Sequence, residues 1–221
     1  MRKAQLANNE YYHIYNRGVD KREIFSGSKD YKRFLLSMLL MNDEKDGLMI
    51  RWRNFQASHP SSSVNEFLRL NLSERKKLVE IIAYCCNSNH YHFVLKQLRD
   101  RGIERFMQRV ATGYTMYFNE KYHRTGSLFQ GRFKSSHIKP EGSLSRLSVY
   151  VSCNSEVHKV CPAKNYPWCS FLHHIGKRRD DLVRDEEFRG EFRNAGELEE
   201  YAKENIADFR ERKQDLDIFF E

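Results

Sequence analysis

Asn89-His90-Tyr91-His92-Phe93-Val94 reads as a strand in which two histidines flank one bulky apolar residue. Side chains of a strand alternate, so His90 and His92 point off one face while Tyr91 and Phe93 pack on the other. Working outward, Leu78 to Cys86 is a second apolar strand, Asn87-Ser88-Asn89 a turn, and His90 to Gln97 the hairpin partner. Upstream, Tyr11-Tyr12-His13-Ile14-Tyr15-Asn16 is β-branched and aromatic, ended by Arg17-Gly18. Downstream, Gly102 to Tyr122 has helical spacing despite Gly113, Gly131 to Ile138 is a further strand, and Pro140 to Asn154 a helix with Pro140 near its start. Asp30 is placed to cap a helix whose apolar face is Phe34, Leu35, Met38, Leu39 and Met41. The order β-α-β-β-α-β-α predicts an α+β fold, a ferredoxin-like βαββαβ sandwich with an added C-terminal helix.

Two stretches fall outside that frame. Asn42 to Leu72 is irregular, carries the loop signal Ser58-His59-Pro60-Ser61-Ser62-Ser63, and reads as an insertion with a short helix around 64–70. Residues 177–221 hold 10 basic and 15 acidic residues, a net of −5, and read as an acidic, helical C-terminal extension. Residues 1–176 then carry 28 basic and 15 acidic residues, a net of +13, and form the main domain. A basic body with 12 Tyr and 15 Phe suits nucleic acid, although a solvated basic surface would have the same composition. No apolar run approaches membrane-spanning length and the N-terminus is polar, so a cytoplasmic protein is expected.

Two imidazoles on one rigid strand face make a half-site for a divalent metal. Alone the pattern is weak, because many strands carry two histidines by chance. On the Tyr150 helix, Leu144, Leu147, Ser148 and Val151 form a core stripe, and Arg146, Tyr150 and Asn154 an adjacent stripe at its edge. A phenol is a possible nucleophile, and an amide oxygen one turn away is a neutral hard ligand. A packing tyrosine and an ordinary helix-terminal asparagine are the plain alternatives. The 5 cysteines are odd in number, include the pair Cys85-Cys86, and suit reduced thiols. Cys153, Cys161 and Cys169, with His158, His173 and His174 nearby, permit a zinc reading, but no C-x-x-C pair supports it.

Four ordered stretches resemble a known family: Tyr12-His13-Ile14-Tyr15-Asn16-Arg17-Gly18, Asn89-His90-Tyr91-His92-Phe93, Gly126-Ser127-Leu128-Phe129-Gln130-Gly131-Arg132-Phe133-Lys134, and Tyr150-Val151-Ser152-Cys153-Asn154. Together they are similar to the REP-associated tyrosine transposases, single-tyrosine HUH transposases of the IS200-like kind, over roughly residues 11–171. The resemblance implies the HUH endonuclease fold, with His90 and His92 as ligands of Mg²⁺ or Mn²⁺, Asn154 as third ligand, and Tyr150 as the group that attacks DNA. It also implies single-stranded or hairpin DNA as partner, nicking and strand transfer through a 5′-phosphotyrosine, and a monomer or homodimer. Asn154 is followed here by Ser155, where the family often has proline. Arg17, Arg101, Arg105, Arg109, Arg124, Arg132 and Lys134 are the candidate DNA contacts, with Arg99 and Lys121 beside them, and Phe129, Phe133, Tyr114 and Tyr117 interleaved either as base-stacking groups or as core. Two readings compete with active cleavage: a domesticated hairpin-binding protein that no longer cuts, and a zinc-dependent regulator built on residues 153–174.

Overall fold

The computed structural model describes residues 6–72, 74–139 and 143–211. Four strands, β1 (Tyr11–Arg17), β2 (Val79–Asn87), β3 (His90–Gln97) and β4 (Lys134–Ile138), form one antiparallel sheet in the order β2-β3-β1-β4. With α1 (Ser28–Met41) between β1 and β2, and α4 (Gly102–Lys121) between β3 and β4, this is the ferredoxin-like arrangement. Two further helices, α2 (Leu48–Ser58) and α3 (Val64–Asn71), lie between α1 and β2. After β4 come α5 (Ser143–Ser152), α6 (Asn154–Val157), α7 (Phe171–His174), α8 (Glu186–Arg189) and α9 (Ala195–Glu211). Among the described residues, no helix is long and apolar enough to cross a membrane.

Alternation divides the sheet between two cores. Tyr12, Ile14, Tyr91, Phe93 and Leu95 pack against Phe34, Met38, Phe106, Val110 and Tyr114 of α1 and α4. Val94, Ala83 and Cys85 face the other way, against Val149, Tyr150 and Val151 of α5 and Leu198, Ile206 and Phe209 of α9. The acidic C-terminal stretch thus folds back on α5. His90 and His92 share the face of Val94, as the i, i+2 spacing requires.

Strand β2 does not keep strict alternation. A bulge between Ile81 and Ala83 inserts one residue, so Val79 and Ile81 lie on the α1/α4 side, whereas Ala83 and Cys85 lie on the α5 side. The hairpin that follows turns on Ser88-Asn89 alone, and Asn87 is the last residue of β2, opposite His90. The three-residue turn expected from sequence is one residue too long.

Three other expectations change. Asp30 does not cap α1, which starts at Ser28 after Gly27. Its buried carboxylate accepts hydrogen bonds from the Ser26 backbone N–H (3.0 Å), Tyr117 Oη (3.0 Å), Tyr122 Oη (2.8 Å) and Lys121 Nζ (2.5 Å). It therefore ties α1 to the end of α4. The 42–72 stretch holds two helices rather than one, and Leu40, Leu48, Trp52, Phe67 and Leu68 give them a small core of their own. Ser63 caps α3 by accepting from the Glu66 N–H, a capping pattern legible in Ser63-x-x-Glu66. Finally, Tyr150 and Asn154 do not lie on one unbroken helix: α5 ends at Ser152 and α6 begins at Asn154. Pro140 lies outside the described residues.

Phe67→Ala should cost the α2–α3 core about 3–5 kcal/mol. Because that core is separate, amide exchange should quicken across 48–72 and stay slow in β2 and β3. Equal quickening in β3 would contradict a separate core.

Candidate active site

The site lies where the α5-facing side of the sheet meets the α5–α6 junction. Pairing of β1 with β3 sets Tyr15 opposite His92, Arg17 opposite His90 and His13 opposite Val94, all on the histidine face. His13 is fully buried, and its Nε2 lies 2.9 Å from His92 Nδ1. The two rings stack at 5.1 Å, and Tyr15 stacks on both. Two imidazole nitrogens at that distance must share one proton as donor and acceptor. This contact uses His92 Nδ1, so Nε2 is the nitrogen left for a ligand.

His90 is fixed from both ends. Its Nδ1 contacts Asn89 Oδ1 at 2.6 Å, and its Nε2 lies 2.9 Å from Asn87 Nδ2 and 3.3 Å from Asn154 Oδ1. Asn154 is fully buried, its Oδ1 accepts from Asn87 Nδ2 at 2.6 Å, and its own Nδ2 has no hydrogen-bond partner among the described residues. The ring of His158, just after α6, meets His90 edge-on at 5.5 Å. Tyr150 meets the edges of His13 and His92 at centroid separations of 6.3 and 6.0 Å. The structure therefore brings His90, His92, Tyr150 and Asn154 together. It adds His13, Asn87 and His158, which the sequence reading did not place here.

Tyr150 is only 5% exposed, so it is not an edge residue as its helical stripe suggested. Phe209 of α9 lies across its ring at 5.1 Å. Asp208 of the same turn pairs with Arg146, whose guanidinium also lies over Phe209. The α9 helix thus covers the tyrosine from the side away from the sheet.

Burial pushes the His13 imidazolium down to about 3. Burial, reinforced by His13, His90 and His158, holds His92 well below the ordinary histidine range. Both rings are neutral near pH 7, the state in which imidazole binds a metal. Of the donors, His90 Nε2 and Asn154 Oδ1 are separated by about what neighbouring ligands of one octahedral ion at ~2.1 Å would show. Two imidazoles and an amide oxygen are donors that suit a divalent cation.

Residues 61–154 match the model of the family described as Transposase IS200 like. The chain is similar to IS200-like transposases. The match takes in Asn87, His90, His92, Tyr150 and Asn154; it leaves out β1, with His13 and Arg17, and everything after Asn154. Among solved structures, a REP-associated tyrosine transposase bound to a REP hairpin aligns with 83% of this chain and 93% of its own, at 10% identity and a TM-score of 0.47. No curated protein matches.

The basic candidates divide between the two faces of the sheet. Arg17 projects beside His90 and its Nε donates to Gln130 Oε1, while Lys134 of β4 is paired with Tyr15 and lies over its ring. Arg132 is exposed in the loop between them. That loop is the Gly126–Lys134 stretch. Leu128 and Phe129 anchor it in the α1/α4 core, and Gly131 takes a φ of 73° that a side chain would strain. Arg105 and Arg109 lie on α4, with Arg101 just before it and Arg124 just beyond it, in the layer on the other face of the sheet. There Arg101 pairs with Glu104, Arg109 with Asp46, and Arg124 donates to Asn119. Phe129 and Tyr114 are core, and Phe133 and Tyr117 pack against it.

Cys153, Cys161 and Cys169 are free thiols, and burial raises Cys153 and Cys169 above the ordinary thiol range. His173 and His174 both turn to Asp185. Among the described residues, no group of three or more His, Cys, Asp and Glu is arranged to hold a metal, so the zinc reading has no site.

The neutral histidines set a pH dependence. Below pH 6.5 the unfolded chain takes up protons at His13 and His92 that the folded chain excludes, so stability is full above that range and falls as pH drops toward about 3. By about pH 4.5 the His13 contribution is ~2–3 kcal/mol. Urea unfolding of metal-free protein at about pH 7 and 4.5 should show this loss, and His13→Gln should show a smaller one. An identical loss in the variant would contradict the assignment.

Proposed function

We propose that this protein nicks single-stranded or hairpin DNA and transfers the cut strand through a covalent 5′-phosphotyrosine, in the manner of a transposase. The observation that carries the reading is the meeting of Tyr150 with His90, His92 and Asn154 at one buried point, from strands and helices distant in sequence. The IS200-like match over residues 61–154 supports it. His90, His92 and Asn154 would hold a Mg²⁺ or Mn²⁺ ion. When bound, that ion polarises the scissile phosphate and offsets the charge that builds on it.

The chain's own groups do the rest. Tyr150 Oη attacks phosphorus in line, a bond from Oη to phosphorus forms as the bond to the neighbouring 3′-oxygen breaks, and the freed strand ends in a 3′-OH. The phenol gives up its proton as it attacks, and the departing oxygen takes one up. Because one phosphodiester replaces another, the bond energy is kept, and a 3′-OH from another strand can reverse the step. Arg17, Arg132 and Lys134 surround the histidine face and suit DNA phosphates.

Burial of Tyr150 under α9 favours one other reading, a protein that binds hairpin DNA without cutting it. The same experiment separates the two. Wild type incubated with a labelled single-stranded hairpin and Mn²⁺ should give a protein–DNA adduct that survives denaturation. Tyr150→Phe should give none while still binding the hairpin, and His90→Ala should lose the metal-dependent adduct. Undiminished adduct in Tyr150→Phe would sink the nucleophile assignment; binding without any adduct in wild type would establish the non-cutting reading.

A further inference from the structure

We propose that Asn87 is a fourth protein group of the cation site, supplying its side-chain oxygen to the ion that His90, His92 and Asn154 hold. The inference rests on the metal reading above and adds a ligand to it. Asn87 ends β2 directly opposite His90, and it is 2% exposed. Its Nδ2 lies 2.9 Å from His90 Nε2 and 2.6 Å from Asn154 Oδ1. Those two atoms are both lone-pair donors. Asn154 Oδ1 is an amide oxygen, and His90 gives its Nδ1 proton to Asn89 Oδ1 at 2.6 Å, which leaves Nε2 unprotonated. Two lone pairs 3.3 Å apart therefore converge on one point, and the Asn87 N–H₂ group satisfies both, as a cation would.

A purely structural amide would have both ends engaged. Here Nδ2 serves two acceptors, while among the described residues Oδ1 meets only the Cys85 thiol, a weak donor, at 3.8 Å. A cation at the convergence point would repel the N–H₂ group. Rotation about the last side-chain bond exchanges the two ends of the amide: the two Nδ2 hydrogen bonds and the weak thiol contact are given up, the ion takes over the lone pairs of His90 Nε2 and Asn154 Oδ1, and Oδ1 turns toward the ion. The resulting donor set, two imidazoles and two amide oxygens, is neutral, so the ion keeps its full charge for a phosphate anion.

Manganese binding to full-length protein, followed by loss of the free Mn²⁺ signal in electron paramagnetic resonance, tests this without DNA or turnover. Asn87→Ala should weaken binding about tenfold or more, within the range that altered metal surroundings produce. Asn87→Asp, with the same shape and an anionic oxygen, should tighten it. Binding by Asn87→Ala as tight as wild type, or tighter, would overturn the proposal, because Asn87 would then only plug the empty site. If the alanine variant does not fold, unchanged or weaker binding by Asn87→Asp overturns it equally. His90→Ala, run in parallel, separates the two layers. If it binds Mn²⁺ like wild type, the metal reading fails and the inference falls with it. If it loses Mn²⁺ while Asn87→Ala keeps it, only the Asn87 assignment fails.

Discussion

Everything at the site depends on the antiparallel pairing of β1 with β3. That register lays His13, Tyr15 and Arg17 beside His92 and His90 on one face of the sheet and turns Ile14, Tyr91 and Phe93 into the opposite core. A slip of one residue would send every one of these side chains to the other face. Neither histidine of β3 is placed by its own strand alone. His92 is held through Nδ1 by a neighbour in β1, and His90 through both nitrogens by the ends of the β2–β3 hairpin and by α6. Neighbours of this kind fix the orientation of both rings, and they leave His92 Nε2 outside the contact with His13.

The second constraint comes from the helices that cover this face. The α5 helix delivers Tyr150 to the edges of His13 and His92, and the break at Cys153 lets Asn154 start a new turn aimed at His90. On its far side α5 is sealed by α9, through Phe209 on Tyr150 and Asp208 on Arg146. The tyrosine is thus held ready beside the histidines and shielded at once.

Much of this was legible in the sequence, for identifiable reasons. Period-two alternation is strong in His90–Gln97 and Tyr11–Asn16, so strand identity and the shared face of His90 and His92 followed from it. Helical spacing found α4 and brought Tyr150 near Asn154. What escaped depends on non-local pairing. His13 looked like one more polar residue of an aromatic strand, and only its diagonal position to His92 gives it a role. Asn87 read as a turn residue; had the turn been taken as Ser88-Asn89, position 87 would have faced His90. The bulge at Ile82 hid it further, because alternation counted from Val79 and Ile81 sends Asn87 to the wrong face. Burial of Tyr150 was out of reach, since a helix stripe shows which residues share a side but not that α9 returns to cover it. The basic residues show the same limit. Charge marked Arg105 and Arg109 as readily as Arg17 and Lys134, but the fold sets the first pair in the α4 layer and the second pair around the histidines.

The central claim is that this sheet face and the α5–α6 junction together build one cation site. Anomalous diffraction at the manganese edge, from crystals of the full-length protein soaked in Mn²⁺, tests it most directly. The account predicts a single strong peak within bonding distance of His90 Nε2, His92 Nε2 and Asn154 Oδ1. A peak at other residues, or none among these three at saturating Mn²⁺, would contradict it.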